Sequence, residues 1–169
     1  MADKYIYNNQ GTLTEKEAIA SSAGASDAGK IPALDSTGRI STTMMPVGIG
    51  ADTKILLASE NLNAGDFVNI WNDAGTVKVR KADATTAGKE ANGFVLDTVT
   101  AGNNATVYFE GTNTQLTGLT GGSMYFLSTT AGGVTATAPS ASGNIVQKLG
   151  RALSSTEINF EPSDPIALA

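Results

Sequence analysis

The chain has 169 residues, of which 41% are hydrophobic and only 16% are charged, and its formal net charge is −5. Cysteine and histidine are both absent, which excludes disulfides, thiolate nucleophiles, Cys/His zinc sites and the serine triad in its usual form. The length suits one domain with a substantial hydrophobic core. The low charge predicts a surface of Thr, Ser, Asn, Ala and Gly that is suited to packing against other subunits.

The charge pattern and hydropathy also bear on the partners. Acidic side chains outnumber basic ones and no basic stripe is present, so nucleic acid is not an expected partner. The start of the chain lacks the apolar core of a signal peptide, and no apolar run approaches the roughly 18 residues of a membrane span. We therefore expect no membrane partner.

Residues 1–50 are interpreted as an extended N-terminal arm with one short helix. Thr14-Glu15-Lys16-Glu17 is a capping-box pattern followed by alanines, which predicts a helix over 14–22. Repeated glycine and proline between 24 and 50 leave room only for short extended pieces and turns.

This arm carries apolar and aromatic residues that have no local partner to bury them. They are expected to lie on the C-terminal domain or on another chain, and the second reading is favoured. The candidate partner contacts are Tyr5, Tyr7, Ile31, Leu34, Ile40, Met44, Met45 and Val47.

From Ala51 onward the pattern is that of β-structure. Short alternating segments, such as Val77 and Val79 between Lys78 and Arg80, are separated by turn sequences rich in Gly and Asn. Eight or nine strands at this spacing predict an antiparallel β-sandwich or barrel over 51–162, followed by a tail over 163–169. The candidate strands are 54–59, 66–72, 76–82, 92–99, 106–110, 123–129, 134–138, 144–153 and 157–161.

Two segments of this β-domain, 62–110 and 119–161, resemble each other. A shift of 57 positions aligns turn glycines and apolar residues, and a shift of 51 aligns the last part after six extra residues in the first copy. What the copies share is framework, since no charged residue meets a charged residue across the first stretch. The domain is therefore predicted to consist of two similar halves. The aligned pairs are Leu62/Leu119, Gly65/Gly122, Gly75/Gly132, Val77/Val134, Gly93/Gly150, Leu96/Leu153, Phe109/Phe160 and Glu110/Glu161.

Three sequence features are compatible with a catalytic or ligand-binding site, but a structural role explains each of them better. The segment 24–30 has P-loop spacing, but Ile31 stands where the motif needs a hydroxyl, so a flexible connector is the better reading. The acidic residues that could pair as in a glycosidase often lie beside turns, where they serve solvation. Trp71 could stack on a sugar, although core or subunit packing is favoured. No catalytic, cofactor or metal site is expected, and we predict that the protein is not an enzyme.

Two sequence segments of this chain resemble segments that occur together in one class of proteins. The segment Gly29-Lys30-Ile31-Pro32-Ala33-Leu34-Asp35-Ser36-Thr37-Gly38-Arg39-Ile40, closing on Met44-Met45-Pro46, resembles a linker of tailed-phage fibre and head-decoration proteins. The run Gly143-Asn144-Ile145-Val146-Gln147-Lys148-Leu149-Gly150-Arg151-Ala152-Leu153, ending Asn159-Phe160-Glu161-Pro162, resembles the β-domain that often follows it.

The resemblance implies a structural protein of a tailed-bacteriophage virion that forms a homotrimer. The chain lacks collagen-like repeats, a coiled-coil shaft and a repetitive β-helix, which favours a decoration or cement protein on the head surface over a long fibre. Its expected partners are then the major capsid protein, through the arm, and other copies of itself. The alternative is a receptor-binding head or tail fibre that recognises host polysaccharide, with Trp71 as the candidate glycan contact.

Overall fold

The structure is a computed structural model that describes residues 3–45 and 50–169. It divides into two compact units, Met1–Gly50 and Ala51–Ala169, which are called here the N-terminal unit and the β-domain. Both are built from strands, and the helical residues in the described ranges are confined to two short 3₁₀ turns, Ala25–Asp27 and Thr42–Met44. The prediction of a mainly β protein is confirmed.

The N-terminal unit begins with a β-hairpin. Strands β1 (Lys4–Asn9) and β2 (Thr12–Glu17) pair antiparallel, from Lys4 opposite Glu17 to Asn9 opposite Thr12. The two residues that join them have positive φ, 50° at Gln10 and 95° at Gly11. Positive φ at both central positions matches the right-handed twist of the flanking strands, which is why glycine suits this loop.

The helix predicted over 14–22 is wrong, because Thr14 to Glu17 lie in β2 and the next residues are irregular. The side chains of the capping-box pattern instead contact the neighbouring strand of the hairpin. The Thr14 hydroxyl donates to the Tyr7 carbonyl oxygen at 3.3 Å, and Glu15 forms an ion pair with Lys4. Helix propensity is a weak local preference, and here a strand only two residues away supplies backbone partners that override it.

The rest of the N-terminal unit is held by a few backbone hydrogen bonds. Ile19 donates to the Ile31 carbonyl oxygen at 3.0 Å, and Ala33 donates to the Ile19 carbonyl oxygen at 2.8 Å. The turn that follows is organised by Asp35, whose carboxylate accepts from the Thr37 hydroxyl and from the Thr37 and Arg39 backbone amides. These bonds, with the Thr37 hydroxyl first, hold the pKa of Asp35 below its usual value.

In the β-domain, five strands form a closed barrel in the order β3-β5-β4-β6-β7. All neighbours are antiparallel except β3 and β5, which pair in parallel with Leu57 opposite Lys78. The prediction of an all-antiparallel arrangement is therefore wrong at one place. The reason is parity, since strand directions cannot alternate around a closed ring with an odd number of strands. The strands are β3 (Thr53–Ala58), β4 (Phe67–Asp73), β5 (Thr76–Lys81), β6 (Gly93–Phe94) and β7 (Asn104–Tyr108).

The remaining strands form an open sheet and a small C-terminal ladder. The open sheet has the order β10-β9-β12-β13-β8, and its neighbours are antiparallel. Residues 163–169, predicted as a tail, include β14, which pairs with β11. The strands are β8 (Gly111–Asn113), β9 (Met124–Leu127), β10 (Val134–Thr135), β11 (Ile145–Val146), β12 (Lys148–Ala152), β13 (Ile158–Phe160) and β14 (Ile166–Ala167).

The barrel and the open sheet share a strand order. In chain order, each has a first strand, then a hairpin of a second and a third strand, and then a fourth and a fifth strand. In space the order of these strands is third, second, fourth, fifth, first in both. Three backbone hydrogen bonds of the barrel recur 57 residues later in the open sheet. In each, a backbone N–H donates to a backbone carbonyl oxygen. The three corresponding pairs, with the donor named first, are Gly65→Val95 with Gly122→Ala152, Val95→Asp66 with Ala152→Ser123, and Asp66→Asn63 with Ser123→Thr120.

Two glycines at the same relative position have no room for a side chain. A Cβ on Gly93 would lie 2.5 Å from the Tyr108 carbonyl oxygen, and one on Gly150 would overlap the Asn159 carbonyl oxygen. At both positions the following strand of the sheet crosses close to the glycine backbone, which only glycine permits.

The core of the β-domain has two main parts. The barrel interior holds a cluster of aliphatic side chains, and a second cluster packs the barrel against the open sheet. At the centre of the second, the Phe67, Phe94 and Phe160 ring centroids lie 5.5 to 6.2 Å apart in tilted or edge-on geometry. Aromatic pairs of this kind contribute beyond the area that they bury.

Candidate functional site

The N-terminal unit contains no buried residue between 3 and 45, although its backbone is regularly hydrogen bonded. The β-domain, by contrast, contains every buried hydrophobic residue of the described chain. Hydrophobic burial is the main favourable term in folding, and an isolated two-stranded hairpin is marginal in water. Because the N-terminal unit exposes its apolar side chains, it is the candidate for a surface that binds other molecules.

Most of the predicted partner contacts are exposed in this unit. Ile31, Leu34 and Ile40 are 49%, 57% and 52% exposed, and Met45 is also exposed. Met44 is half-buried at the end of a 3₁₀ turn. Val47 lies outside the described residues.

The two predicted tyrosines lie on one face of the hairpin. Tyr7 is 40% exposed, and the Lys16 ammonium nitrogen lies over one face of its ring, 3.9 Å from the ring centroid. Tyr5 is half-buried, and its hydroxyl is inaccessible to solvent without a hydrogen-bond partner in the described structure. Tyr7 is therefore the more accessible of the two predicted tyrosine contacts.

Sequence reasoning missed the two most exposed large apolar residues of the described chain, Ile6 and Leu13, at 66% and 71%. Both lie on the hairpin face opposite the tyrosines, because side chains alternate between the faces of a strand. A sequence signal for this hairpin was present, because aromatic and aliphatic side chains alternate in Tyr5-Ile6-Tyr7 before a loop that ends in Gly11. It was obscured because Thr14 to Glu17, which belong to the second strand of the hairpin, were predicted to start a helix.

An open groove of about 840 Å³ lies beside the end of β2. It is lined by alanines and by the larger apolar side chains of Ile19 and Leu34, together with the charged residues Lys16, Glu17 and Lys30. The Lys30 amine donates to the Asp27 carboxylate at 2.7 Å, which lowers the pKa of Asp27 and raises that of Lys30. This pair lies in the 24–30 segment with P-loop spacing, and there it orders a turn.

Trp71, the candidate glycan contact, is half-buried on the outside of the barrel. Its indole nitrogen donates to the Ser59 hydroxyl at 3.2 Å, and the Arg80 guanidinium carbon lies 4.6 Å from its ring centroid. The polar edge and one face of the ring are thus engaged within the chain.

Three of the acidic residues that could pair as in a glycosidase, Asp66, Asp73 and Asp83, form ion pairs with lysines instead. Asp66 contacts Lys81 at 3.1 Å and Asp73 contacts Lys78 at 2.7 Å. Asp83 is the most buried of them: desolvation opposes its ionisation, but hydrogen bonds from Thr85 and Lys89 outweigh it and lower the pKa of Asp83. Within residues 3–45 and 50–169, no three His, Cys, Asp or Glu side chains are grouped as metal ligands.

A scan against protein-family models finds no matching family, and a search of curated proteins finds no matching relative. In the described part of the chain, no helix has both the length and the apolar character needed to cross a membrane. The function is therefore argued from the geometry of the two units.

Proposed function

We propose that this chain is a structural protein of a tailed-phage virion, a decoration or cement protein on the head surface. In this proposal the N-terminal unit binds the major capsid protein and the β-domain projects from the shell. The observation that carries it is the contrast between a unit with exposed apolar side chains and a domain with a core of its own.

The exposed aliphatic side chains of the N-terminal unit provide the binding energy. Fully burying a side chain such as Ile31 or Ile40 contributes roughly 1.5–3 kcal/mol before the cost of ordering the chain. Each contact is modest, but several copies joined in one assembly bind a shell with high avidity.

The β-domain is proposed to consist of two copies of one unit, corresponding to the barrel and the open sheet. The common strand order, the recurring hydrogen bonds and the paired glycines Gly93 and Gly150 support this. What recurs is backbone framework, which suits a structural role better than a catalytic one. The assembly is proposed to be a homotrimer, which would cover apolar surface in a closed cyclic arrangement.

A capsid-binding assay tests the proposal. Full-length protein with Ile31→Ser and Ile40→Ser is incubated with particles of the encoding phage that lack the protein, and bound copies are counted after sedimentation. The matched control carries Val77→Ser and Leu153→Ser, which are exposed apolar residues of the β-domain. We expect the first variant to lose most of its occupancy and the control to retain it; equal occupancy by all three proteins would refute the role of the N-terminal unit.

The alternative function is a receptor-binding fibre that grips host polysaccharide through Trp71. Its support is weaker, because Ser59 and Arg80 already engage the polar edge and one face of that ring. A glycan array with wild type and Trp71→Ala separates the two functions. Specific binding that disappears in the variant would establish the alternative in place of decoration.

A further inference from the structure

We propose that copies of this chain join through strand pairing of their N-terminal hairpins: β1 of one copy pairs antiparallel with β2 of the next, and three hairpins close into a six-stranded barrel. This names the contact behind the proposed trimer and rests on that part of the proposed function. It does not rest on capsid binding.

The first observation is that the hairpin has two edges whose backbone groups point away from it. Among the described residues, β1 and β2 form a sheet of two strands only. In a hairpin with a two-residue loop, the flanking residues, here Asn9 and Thr12, form a hydrogen-bonded pair, and such pairs recur at every second position. The Ala18 amide, which donates to the Asp3 carbonyl oxygen at 2.8 Å, continues this alternation. The intervening residues, whose backbone N–H and C=O groups point outward, are Lys4, Ile6 and Asn8 on β1 and Leu13, Glu15 and Glu17 on β2.

The backbone of each edge determines what can bind there. A row of outward N–H and C=O groups pairs with another extended strand, which offers donors and acceptors at the same spacing. All six residues of β2 are exposed. Ile6 and Leu13 lie on one face of the hairpin, and they are the most exposed large apolar residues of the described chain. The occupant is therefore a strand that carries aliphatic side chains on the matching face.

A second copy supplies such a strand, and its residues match in one register. Outward residues must oppose outward residues, so the possible registers of β1 against the next copy's β2 differ by two residues. One register places Ile6 opposite Leu13 and Lys4 opposite Glu15. A shift by two residues in one direction places Lys4 opposite Leu13, and a shift in the other direction places Ile6 opposite Glu15. Only the first register pairs apolar with apolar and cation with anion.

Charge also favours β1 against β2 over the pairing of identical strands. In the matching register Asp3 lies opposite Lys16 of the next copy, which adds a second pair of opposite charges. Two β2 strands paired with each other would instead bring Glu15 and Glu17 of both copies onto one short ladder. Like charges on facing strands destabilise their pairing, whereas opposite charges stabilise it. The contact is thus head-to-tail, which closes into a ring when the rotation between copies permits it.

The same register has the stagger that a closed barrel needs. Tyr7 lies opposite Thr14 within the hairpin and would lie opposite Thr12 of the next copy, so each hairpin is shifted by two residues relative to its neighbour. The shift is about 6.6 Å along the strands for about 9.6 Å across them, which gives a tilt of about 35°. Strands of closed barrels tilt by roughly 35–45°. Six strands can alternate in direction around the ring, and Ile6 and Leu13 of three copies then form one apolar layer inside it.

Disulfide crosslinking of the full-length protein tests this register, because the chain has no cysteine of its own. Tyr7→Cys with Thr12→Cys places two cysteines that face each other between copies, as a non-hydrogen-bonded pair with Cα atoms about 4.5 Å apart. Within one chain the two positions are diagonal neighbours about 7–8 Å apart, which is too far for a disulfide. After oxidation we expect a covalent species of three times 17.2 kDa on a non-reducing gel.

The matched control is Tyr7→Cys with Lys16→Cys, the other diagonal pair of the same hairpin. These positions do not face each other between copies in the proposed register, so the control should remain at 17.2 kDa. Equal crosslinking of both variants would overturn the inference, since random collision would then explain it. A Tyr7→Cys/Thr12→Cys variant that stays at 17.2 kDa while wild type is a trimer by light scattering would overturn the inference and leave the proposed trimer standing. A wild type that is monomeric at every concentration would overturn the proposed trimer, and this inference with it.

Light scattering gives a second test that needs no cysteine. Ile6→Ser with Leu13→Ser removes the apolar pair of the barrel, and Ile31→Ser with Ile40→Ser removes the pair proposed for capsid contact. At concentrations where wild type has about three times the 17.2 kDa chain mass, we expect the first variant to fall to 17.2 kDa and the second to keep the wild-type mass. A first variant that remains a trimer would overturn the hairpin contact. Unchanged thermal melting of the β-domain in both variants shows that the loss of mass comes from the hairpin.

Discussion

Residues 3–45 and residues 51–169 differ in where their apolar side chains lie. The β-domain buries its large side chains in a barrel interior and between two sheets, whereas the N-terminal unit exposes Ile6, Leu13 and Ile40. Both contain hydrogen-bonded strands, so the presence of strand pairing alone does not distinguish them. The difference teaches that internal packing stabilises the β-domain, whereas residues 3–45 contain no buried side chain that could stabilise the N-terminal unit in the same way.

The largest expected effect is at Gly150. Its φ is 147°, and a Cβ there would overlap the Asn159 carbonyl oxygen, so Gly150→Ala must displace β13 from β12. We expect a loss of more than about 4 kcal/mol in the free energy of unfolding, or no folded β-domain. The control is Gly122→Ala, which has positive φ but open space around it and should cost about 1–2 kcal/mol. Denaturant unfolding measures both, and equal effects would contradict the close strand crossing.

Next is the aromatic cluster that joins the barrel to the open sheet. Phe67 is fully buried, and Phe67→Ala should lower the free energy of unfolding by about 3–5 kcal/mol through lost burial and a residual cavity. Val77→Ala, at an exposed position of the same domain, should change it by less than about 0.5 kcal/mol. If Phe67→Ala proved equally mild, the packing between the two sheets would not be what stabilises the β-domain.

A smaller effect is expected at Asp83, and it should depend on pH. Because the folded pKa of Asp83 is lowered, the unfolded state binds the proton more tightly, and the stabilisation is present near neutral pH and lost as pH falls below about 4. Asp83→Asn should cost about 1–3 kcal/mol at pH 7. It should also flatten the loss of stability in acid, as measured by thermal unfolding at pH 7 and pH 3.

A parallel acid profile for the Asp83→Asn variant and wild type would assign the acid sensitivity to other carboxylates. Asp73→Asn is the matched control, because Asp73 also pairs with a lysine but is much more exposed. Its effect on stability should be small.

The smallest effect is expected in the N-terminal unit. Ile40→Ser should change the free energy of unfolding of the β-domain by less than about 0.5 kcal/mol, because Ile40 is exposed and belongs to the other unit. Ile158→Ser, at a fully buried position of β13, should be severely destabilising by comparison. A melting transition that drops equally for both would mean that the N-terminal unit shares the folding core.

The prediction of β-structure from Ala51 onward relied on alternation and turn residues, and these local signals are sufficient where one face of a strand is buried. Val77 and Val79 alternate with lysine and arginine, and they lie in β5 as expected. The helix over 14–22 failed because the same residues had a strong helix-start pattern and an equally good hairpin partner. The pairing with Lys4–Asn9 depends on a loop geometry that a local pattern does not reveal.

The candidate site was predicted only in part. Ile31, Leu34 and Ile40 were identified because no nearby residues could bury them, and they are exposed. Ile6 and Leu13 were not, since their exposure follows from which hairpin face they occupy, and this was hidden by the wrong element assignment.

By itself the sequence determined that the chain is mainly β, that it has no cysteine or histidine chemistry, and that its first 50 residues carry apolar side chains without local partners. Composition and periodicity are local properties, and they suffice for those conclusions. Only the tertiary structure decided that five strands close into a barrel through a parallel β3–β5 pair and that Ile6 and Leu13 share one face of an N-terminal hairpin. Strand pairing joins residues distant in sequence, so its partners and directions follow from the packing of the whole sheet.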